Sequence, residues 1–355
     1  MILILGSHEE QLAALVADRL RWRGAAVAFV AHARLLAAAG LSLSIGGGDG
    51  FVRIGARTVP LMDLAGVLVR PQRPVPPDPG LSPEDEDYLA YELQATLLGL
   101  LHALPCPVVN LPLPEPLARP AFTSAARLQR IVASGFCLPA TLATADRDRA
   151  ARFFDRSGGL AILGTLSGQA PLRLIEGAAG LDALLAAIAR HPVYLQRVPP
   201  GRWLDVFVVA DRAMAVSVPR GAAPSPQGGS PAADPPPCDC GTAWPTPGSS
   251  AAAGPPGAAA VDLPSTLAAQ CCALTRALHL DFARLRLVCA QSGEACCLDV
   301  RAHPVCNHCA PEVQDQIATA LADLLARGER RRADDPRLWY VGRPGDGLPL
   351  CAPVR

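Results

Sequence analysis

Lysine is absent. The 355-residue chain carries 32 basic side chains and every one is an arginine. That absence removes whole chemistries: a lysine Schiff base, a lysine nucleophile, a P-loop lysine on a phosphate. A composition biased toward Ala, Arg, Pro and Gly accounts for much of it. Net charge is missing too, since 32 acidic residues balance the 32 basic ones. No electrostatic footprint for nucleic acid or an anionic membrane follows from such a balance. Nor is there a run of about 18 uncharged apolar residues, so no spanning helix is expected. The opening MILILGSHEE lacks the basic start and longer apolar stretch of a secretory signal, so the expected location is the cytoplasm. What is present is half hydrophobic and only 18% charged, enough apolar surface for two or three compact units.

Cysteine is the residue in unexpected supply, with 12 in the chain. In a chain of this length without a signal their spacing does not read as a disulfide framework, so free and mostly buried thiols are expected. Cys306-x-x-Cys309, with His308 between the two and His303 nearby, has a spacing that suits zinc. Cys238-x-Cys240 is a second pair of a kind that captures soft metals. One CxxC without a second pair at proper spacing is a weak signal, and adjacent Cys296 and Cys297 point to opposite faces of a strand. A Cys/His metal-binding protein is therefore an alternative reading, with Cys306, His308 and Cys309 as its ligands. A thiol nucleophile at Cys306 served by His308 or His303 has nothing to orient its base.

Along the chain, strand and helix alternate first. Ile2–Leu5, Val27–Val30, Gly66–Val69 and Val108–Asn110 read as strands. Glu9–Arg23 reads as a helix opened by a cap at Ser7, and Pro83–Leu104 as a second, with Leu89, Leu93, Leu97, Leu98 and Leu101 on its apolar side. The glycines of 45–50 lie between a serine and a strand-like FVRI, so they read as a hairpin turn and not as a phosphate loop. From about residue 120 come a helix to Ser134, an extended 138–141, a short helix begun at Asp146 or Asp148, and strands at 160–163, 193–198, 206–209 and 212–218. Residues 219–260 turn to Pro, Gly, Ala and Ser and read as a disordered insertion. A helix at 263–279, strands at 285–289 and 295–300, and a closing helix at 312–326 follow. The tail beyond Arg327 is polar; Arg330–Arg332 reads as a solvated helix end, and Trp339-Tyr340-Val341 as a segment that docks on the body.

Six segments together resemble the ATP-grasp ligases, in the branch of graspetide synthetases and ribosomal-protein glutamate ligases. They are GVLVRPQRP, YLAYELQATLLGLLHALPCPVVNLP, SGFCLPATLATADRDRAARFF, the LSG at 166–168, YLQRVPPGRWLDVFVVADRAMAV and LHLDFARLRLVCAQSGEACCLDVRAHP. The resemblance implies an α/β fold followed by an α+β one. A pre-ATP-grasp α/β domain would cover 1–115, a small ATP-grasp-like subdomain 116–190, a C-terminal subdomain 191–327 interrupted by 219–260, and a tail 328–355.

It also implies a site, and the chain departs from it. Where the family has a phosphate-binding lysine stands Gly164 (Leu163 if the register slips), leaving only backbone N–H groups. The hinge Gln-Glu becomes Gln196-Arg197. The arginine of an Asp-x-Arg becomes Asp205. The magnesium ligands, Asp then Glu-x-Asn, become Arg286, Asp299 and Arg301. Arg70 is a substrate-side position by the same resemblance, or an ordinary surface residue. Arg197, Arg286 and Arg301 either converge as an anion pocket, or Arg286 pairs with Asp299 across adjacent strands. The leading expectation is a degenerate, non-catalytic or impaired ATP-grasp protein. It would bind a peptide or small acidic ligand as an accessory or scaffold, beside a catalytic ligase, with no nucleic acid and no membrane. The alternative is an active ATP-dependent carboxylate–amine ligase in which arginines take the lysine roles; ATP and magnesium are cofactors only in that case.

Overall fold

The computed structural model describes residues 1–6, 9–30, 41–43, 50–70, 80–111, 125–165, 173–219 and 258–327. The chain divides into two compact units, Met1–Pro114 with Ala322–Arg355, and Glu115–Leu321.

In the first unit the short apolar runs become a parallel sheet. Its strands are β1 (Ile2–Leu5), β2 (Val27–Val30), β6 (Gly66–Val69) and β7 (Val108–Val109), in the order β2-β1-β6-β7. The ILIL of β1 and GVLV of β6 are buried along their whole length, as strands covered on both faces must be. Helix α1 (Gln11–Trp22) buries Leu12, Ala13, Val16, Ala17 and Leu20, the 3.6-residue stripe seen in its sequence. A second, antiparallel sheet contains β3 (Leu41–Leu43), β4 (Gly50–Ile54) and β5 (Arg57–Pro60). β3 and β4 pair as a hairpin would, while the glycine turn itself and Ser7 lie outside the described residues. A single 3-10 turn, Leu61–Asp63, leads back to the parallel sheet.

Helix α2 (Pro83–Ala103) opens on Ser82, whose hydroxyl accepts the Asp85 N–H at 3.2 Å, and carries Glu84, Asp85 and Glu86 in its first turn. Its last turns bury Leu97, Leu100 and Leu101. Leu89, expected on the same face, is 43% exposed. Tyr88 and Tyr91 are exposed as well, so the apolar periodicity of the first half of this helix does not mark buried positions.

The second unit holds two antiparallel sheets. One contains β8 (Thr141–Thr144), β9 (Leu160–Thr165), β10 (Arg173–Glu176) and β11 (Val193–Arg197), in the order β10-β9-β11-β8. Helices α4 (Arg147–Arg156) and α5 (Gly177–Ile188) cover one face of it, where Phe154, Leu184, Ala161, Leu163, Ile175, Val193 and Leu195 form a core. Asp146 caps α4 by accepting the Arg149 N–H at 2.9 Å. The other sheet contains β12 (Arg202–Val209), β13 (Arg212–Val218), β14 (Ala260–Val261), β15 (Phe282–Cys289) and β16 (Ala295–Arg301), in the order β14-β13-β12-β15-β16. Its apolar face packs on α3 (Ala125–Ala133) and α6 (Ser265–Ala277) through Ile131, Cys271, Leu274, Leu204, Val206, Leu285, Leu287 and Val300. The closing helix α7 (Pro311–Ala326) ends in the first unit.

Two expectations need correction. The disordered insertion expected at 219–260 is too long at its end: Ala258 bridges Cys309 and Ala260–Val261 pairs with β13, while residues 220–257 lie outside the described residues. The cysteines are not all free thiols. Cys137 lies alongside Cys296 in a parallel bridge with their Cα atoms 4.5 Å apart, and the two are disulfide-bonded across a sequence separation of 159. Spacing along the chain gives no hint of a contact made by such distant segments. Cys106, Cys271, Cys272, Cys297, Cys306 and Cys309 are buried, as small hydrophobes are.

Candidate functional site

Strands β12, β15 and β16 send alternate side chains to opposite faces. Leu204, Val206, Leu285, Leu287 and Val300 enter the core beneath the helices, so Asp205, Arg284, Arg286, Asp299 and Arg301 share the other face. Register brings them together. Asp205 stands opposite Arg286, Arg286 opposite Asp299, and Arg284 opposite Arg301. An irregularity follows at Arg286/Leu287, where the pairing passes from Asp299 directly to Cys297 and leaves Leu298 as the extra residue.

The result is a buried ion-pair network. Arg286 grips Asp205 with its whole fork, Nε to Oδ1 at 2.8 Å and Nη2 to Oδ2 at 2.9 Å. Arg284 donates from Nη2 to Asp299 Oδ2 at 3.2 Å and brings Nη1 within 3.9 Å of Asp205 Oδ2. Arg301 donates from Nε to the same Asp299 oxygen at 2.9 Å. His308, from the loop before α7, places Nε2 3.3 Å from Asp205 Oδ2, and its ring lies 6.0 Å from that of Phe207. Asp205 is fully buried, Arg284, Arg286, Asp299 and His308 nearly so, and the Arg301 side chain is 29% exposed.

Burial alone would push the Asp205 carboxyl up. The Arg284 charge, the hydrogen bonds from Arg286 and the approach of the His308 ring outweigh it and hold the group far below the usual carboxylate range. For Arg284, burial dominates over Asp205 and, with the Arg286 and Arg301 charges, draws its pKa down. Burial also opposes the charge of Arg286, but the Asp205 hydrogen bonds outweigh it and raise the pKa.

Four of the expected positions, Asp205, Arg286, Asp299 and Arg301, thus meet in one network. The cross-strand pair expected between Arg286 and Asp299 is not how the fork is used: Arg286 grips Asp205, and Asp299 serves Arg284 and Arg301. Arg284 was missed in the sequence, although it stands two residues before Arg286 in a strand and so must share its face.

Gln196 and Gly164 belong to the other sheet of this unit. Gly164 is paired with Tyr194 on β9, and Gln196 on β11 is fully buried. Among the described residues neither Gln196 Oε1 nor Nε2 meets a hydrogen-bond partner. Arg197 is exposed at the end of β11, where its backbone N–H donates to the Ala140 carbonyl at 2.8 Å. Arg70 lies in the first unit at the end of β6. It is not a surface residue: it is 1% exposed, with Nε 2.9 Å from both Glu10 carboxylate oxygens and Nη2 also bonded to Glu10.

The cysteine pair is placed by a turn in which the Cys309 N–H donates to the Cys306 carbonyl at 2.9 Å. Ala258 holds that turn, accepting from Ala310 and donating to the His308 carbonyl, each at 2.9 Å. Burial pushes the Cys309 thiol well up, and His308 faces Asp205. Among the described residues no three His, Cys, Asp or Glu side chains are arranged to hold a metal.

No protein-family model matches the sequence, and no curated protein matches it either. Solved structures do match the fold. The macrocyclase MdnC of Microcystis aeruginosa MRC, solved with its precursor peptide MdnA, superposes with a TM-score of 0.67 at 14% identity over 92% of this chain and 99% of that one. The ATP-grasp ligase PsnB, solved with a minimal precursor, Mg and ADP, gives 0.67 at 18% identity over 92% and 98%. The chain has the ATP-grasp fold. A third structure of this kind is a RiPP-associated ATP-grasp ligase of Chryseobacterium gregarium, solved with ADP and a leader and core peptide, with a TM-score of 0.66, 16% identity and 92% and 96% coverage. The layout read from the six segments is therefore the layout of the molecule, an α/β unit followed by an α+β ATP-grasp body.

An ATP-grasp fold raises the question of magnesium, and the residues here do not fit it. Hard cations want several oxygen ligands. Both carboxylates on this face are already bonded to guanidiniums, and arginine has no lone pair to offer. A guanidinium about 4 Å from a divalent cation repels it by roughly several kcal/mol even at an effective dielectric near 20. Three arginines against two aspartates also leave the face with an excess of positive charge, which favours an anion over a metal.

Proposed function

We propose that this protein is an ATP-grasp-fold binding protein for a peptide or small acidic ligand, impaired in or lacking ATP-dependent ligation. It would act as an accessory or scaffold, beside a catalytic ligase. The observation that carries this reading is the occupation of Asp205 and Asp299 by Arg284, Arg286 and Arg301. Acyl-phosphate chemistry depends on metals and free cations already placed around the transferring phosphoryl group. Here the cations are committed to carboxylates, the carboxylates to cations, and Gly164 offers no side chain to a phosphate. What the face does offer is excess positive charge beside the partly exposed Arg301, and elsewhere in the unit the buried Gln196 amide, which can donate and accept at once.

The test is a thermal-shift titration paired with a turnover assay. The melting temperature is expected to stay put with ATP and magnesium. It is expected to rise with a synthetic Asp/Glu-rich peptide, and less so in Arg301→Gln. ATP consumption coupled to amide-bond formation in such a peptide would overturn the proposal. It would install the second reading, an active carboxylate–amine ligase with arginines in the lysine roles. That reading draws its support from the likeness of fold to ligases solved with ADP, Mg and precursor peptides.

A further inference from the structure

The Cys137–Cys296 bond stands where the two sheets of the second unit are joined. Helix α3 packs on the apolar face of the five-stranded sheet, β8 belongs to the other sheet, and residues 134–140 connect them. Between Cys137 and Ala140 this connection passes from one sheet to the other. Cys137 donates its N–H to the Ala295 carbonyl of β16 at 3.0 Å, and the Ala140 carbonyl accepts from the Arg197 N–H of β11 at 2.8 Å. The contact with β16 is an isolated bridge rather than a ladder, and β16 is an edge strand of its sheet. A covalent bond at that bridge therefore adds much to a thin attachment.

The edge it holds is the one that carries the ion-pair network. Leu287 and Cys297 stand opposite each other and enter the core, so their neighbours Val288 and Cys296 take the other face, the face of Asp299 and Arg301. Between Cys296 and Asp299 lies the irregularity that leaves Leu298 as the extra residue. A tie at Cys296 thus fixes β16 just beyond the point where its pairing with β15 is interrupted. The bond is also open to attack from one side. Cys137 is half-buried, whereas Cys296 is 8% exposed. Disulfides that solvent thiols can reach are the labile and regulatory ones.

We propose that this disulfide is a redox latch between the two sheets. A small thiol such as glutathione, as its thiolate, attacks the Cys137 sulfur and expels the Cys296 thiolate, which takes up a proton; a second thiol then displaces the first from Cys137. Two small thiols are oxidised to one disulfide, and the protein bond is reduced to two thiols. In the reduced form the bridge at Cys137 loses its covalent tie, and the part of β16 that bears Asp299 and Arg301 loosens. The latch requires no ligand on that face and stands apart from the proposed binding activity.

The test uses the full wild-type chain. Alkylation and peptide mass spectrometry are expected to find Cys137 linked to Cys296 in the oxidised protein. Both should be alkylated once reduced glutathione is added without denaturant. Amide hydrogen exchange of residues 136–140 and 295–301 should then quicken by about tenfold or more, with β12 and β13 unchanged. Cys137→Ser/Cys296→Ser should show the quickened pattern in either buffer. Free thiols at both positions after treatment with oxidised glutathione would overturn the latch, as would a link from Cys137 to another cysteine. So would a bond that yields to glutathione only in denaturant, or equal exchange in the two redox states.

Discussion

Removing the Asp205 carboxylate would leave Arg284 and Arg286 buried with Asp299 as their remaining anion. Breaking a buried ion pair from one side typically costs about 3–5 kcal/mol, because the survivor keeps its desolvation penalty. Asp205→Asn is expected to lose that much in urea unfolding, and Arg286→Met a similar amount. The same residue sets a pH dependence. Its folded pKa is depressed, so its stabilisation is complete above the unfolded carboxylate value of about 4 and is lost as pH falls below it. The stability gap between wild type and Asp205→Asn should therefore narrow by about 1.4 kcal/mol per unit from about pH 4 down to 2. A gap that stays constant over that window would show that the carboxylate is not the titrating group. These residues were legible singly in the sequence, since Asp205, Arg286, Asp299 and Arg301 stood out by type and position. Who holds whom was not legible: register alone pairs Arg286 with both Asp205 and Asp299, and only side-chain geometry chooses between them.

Between β11 and β12 the chain turns at Gly201, with φ at +150°. A Cβ there would stand 2.4 Å from the Cys289 carbonyl oxygen and 2.8 Å from its carbon, both backbone atoms. Gly201→Ala is therefore expected to cost about 2–4 kcal/mol, combining backbone strain with a contact that cannot yield. Gly55, in the β4–β5 turn with φ at +60°, has nothing within 4 Å of the same position, and Gly55→Ala should cost only about 1 kcal/mol. Equal losses in chemical denaturation would mean that the Cys289 contact carries no weight. At this scale the sequence was a good guide wherever an element buries a full apolar stripe or run, as in α1, β1, β6, β13, α6 and α7. It was poor where burial is partial. β10 and α5 were not read, because RLIE has only two large apolar residues and the helix opens on small GAAG. β12 and β15 each begin earlier than their apolar runs, at Arg202 and Phe282, because the polar residues Asp205 and Arg284 interrupt the pattern while remaining in the sheet.

Across the whole molecule, Asp205, Arg286, Asp299 and Arg301 gather on one face of one sheet, while Gly164 and Arg197 lie on the other sheet of the same unit. The resemblance to the ATP-grasp ligases implies an arginine where Asp205 stands and an aspartate where Arg286 stands; in this chain Asp205 and Arg286 face each other across β12 and β15 with both ends bonded. On that resemblance, exchanging the two would keep the sheet's ion pair while inverting the charge on each strand. That separates what the fold needs from what the reaction needs. The fold needs one acid and one base in register, whichever strand supplies which. Exchanging them back, Asp205→Arg with Arg286→Asp, is expected to leave stability within about 1–2 kcal/mol of the wild type. Each single substitution should lose about 3–5 kcal/mol, a coupling that a double-mutant cycle in denaturant measures directly. Adding Arg301→Asn restores an oxygen ligand beside Asp299 and removes a guanidinium. This triple variant should then acquire a melting-temperature rise that requires ATP and magnesium together, worth about 2.7 kcal/mol at a hundredfold excess over Kd. A double variant as unstable as its singles combined would mean that the pair is not interchangeable and that the strands are specialised for the present polarity. A stable triple variant that still ignores magnesium and ATP would mean that these three positions do not decide nucleotide binding, and would turn attention to the absence of lysine.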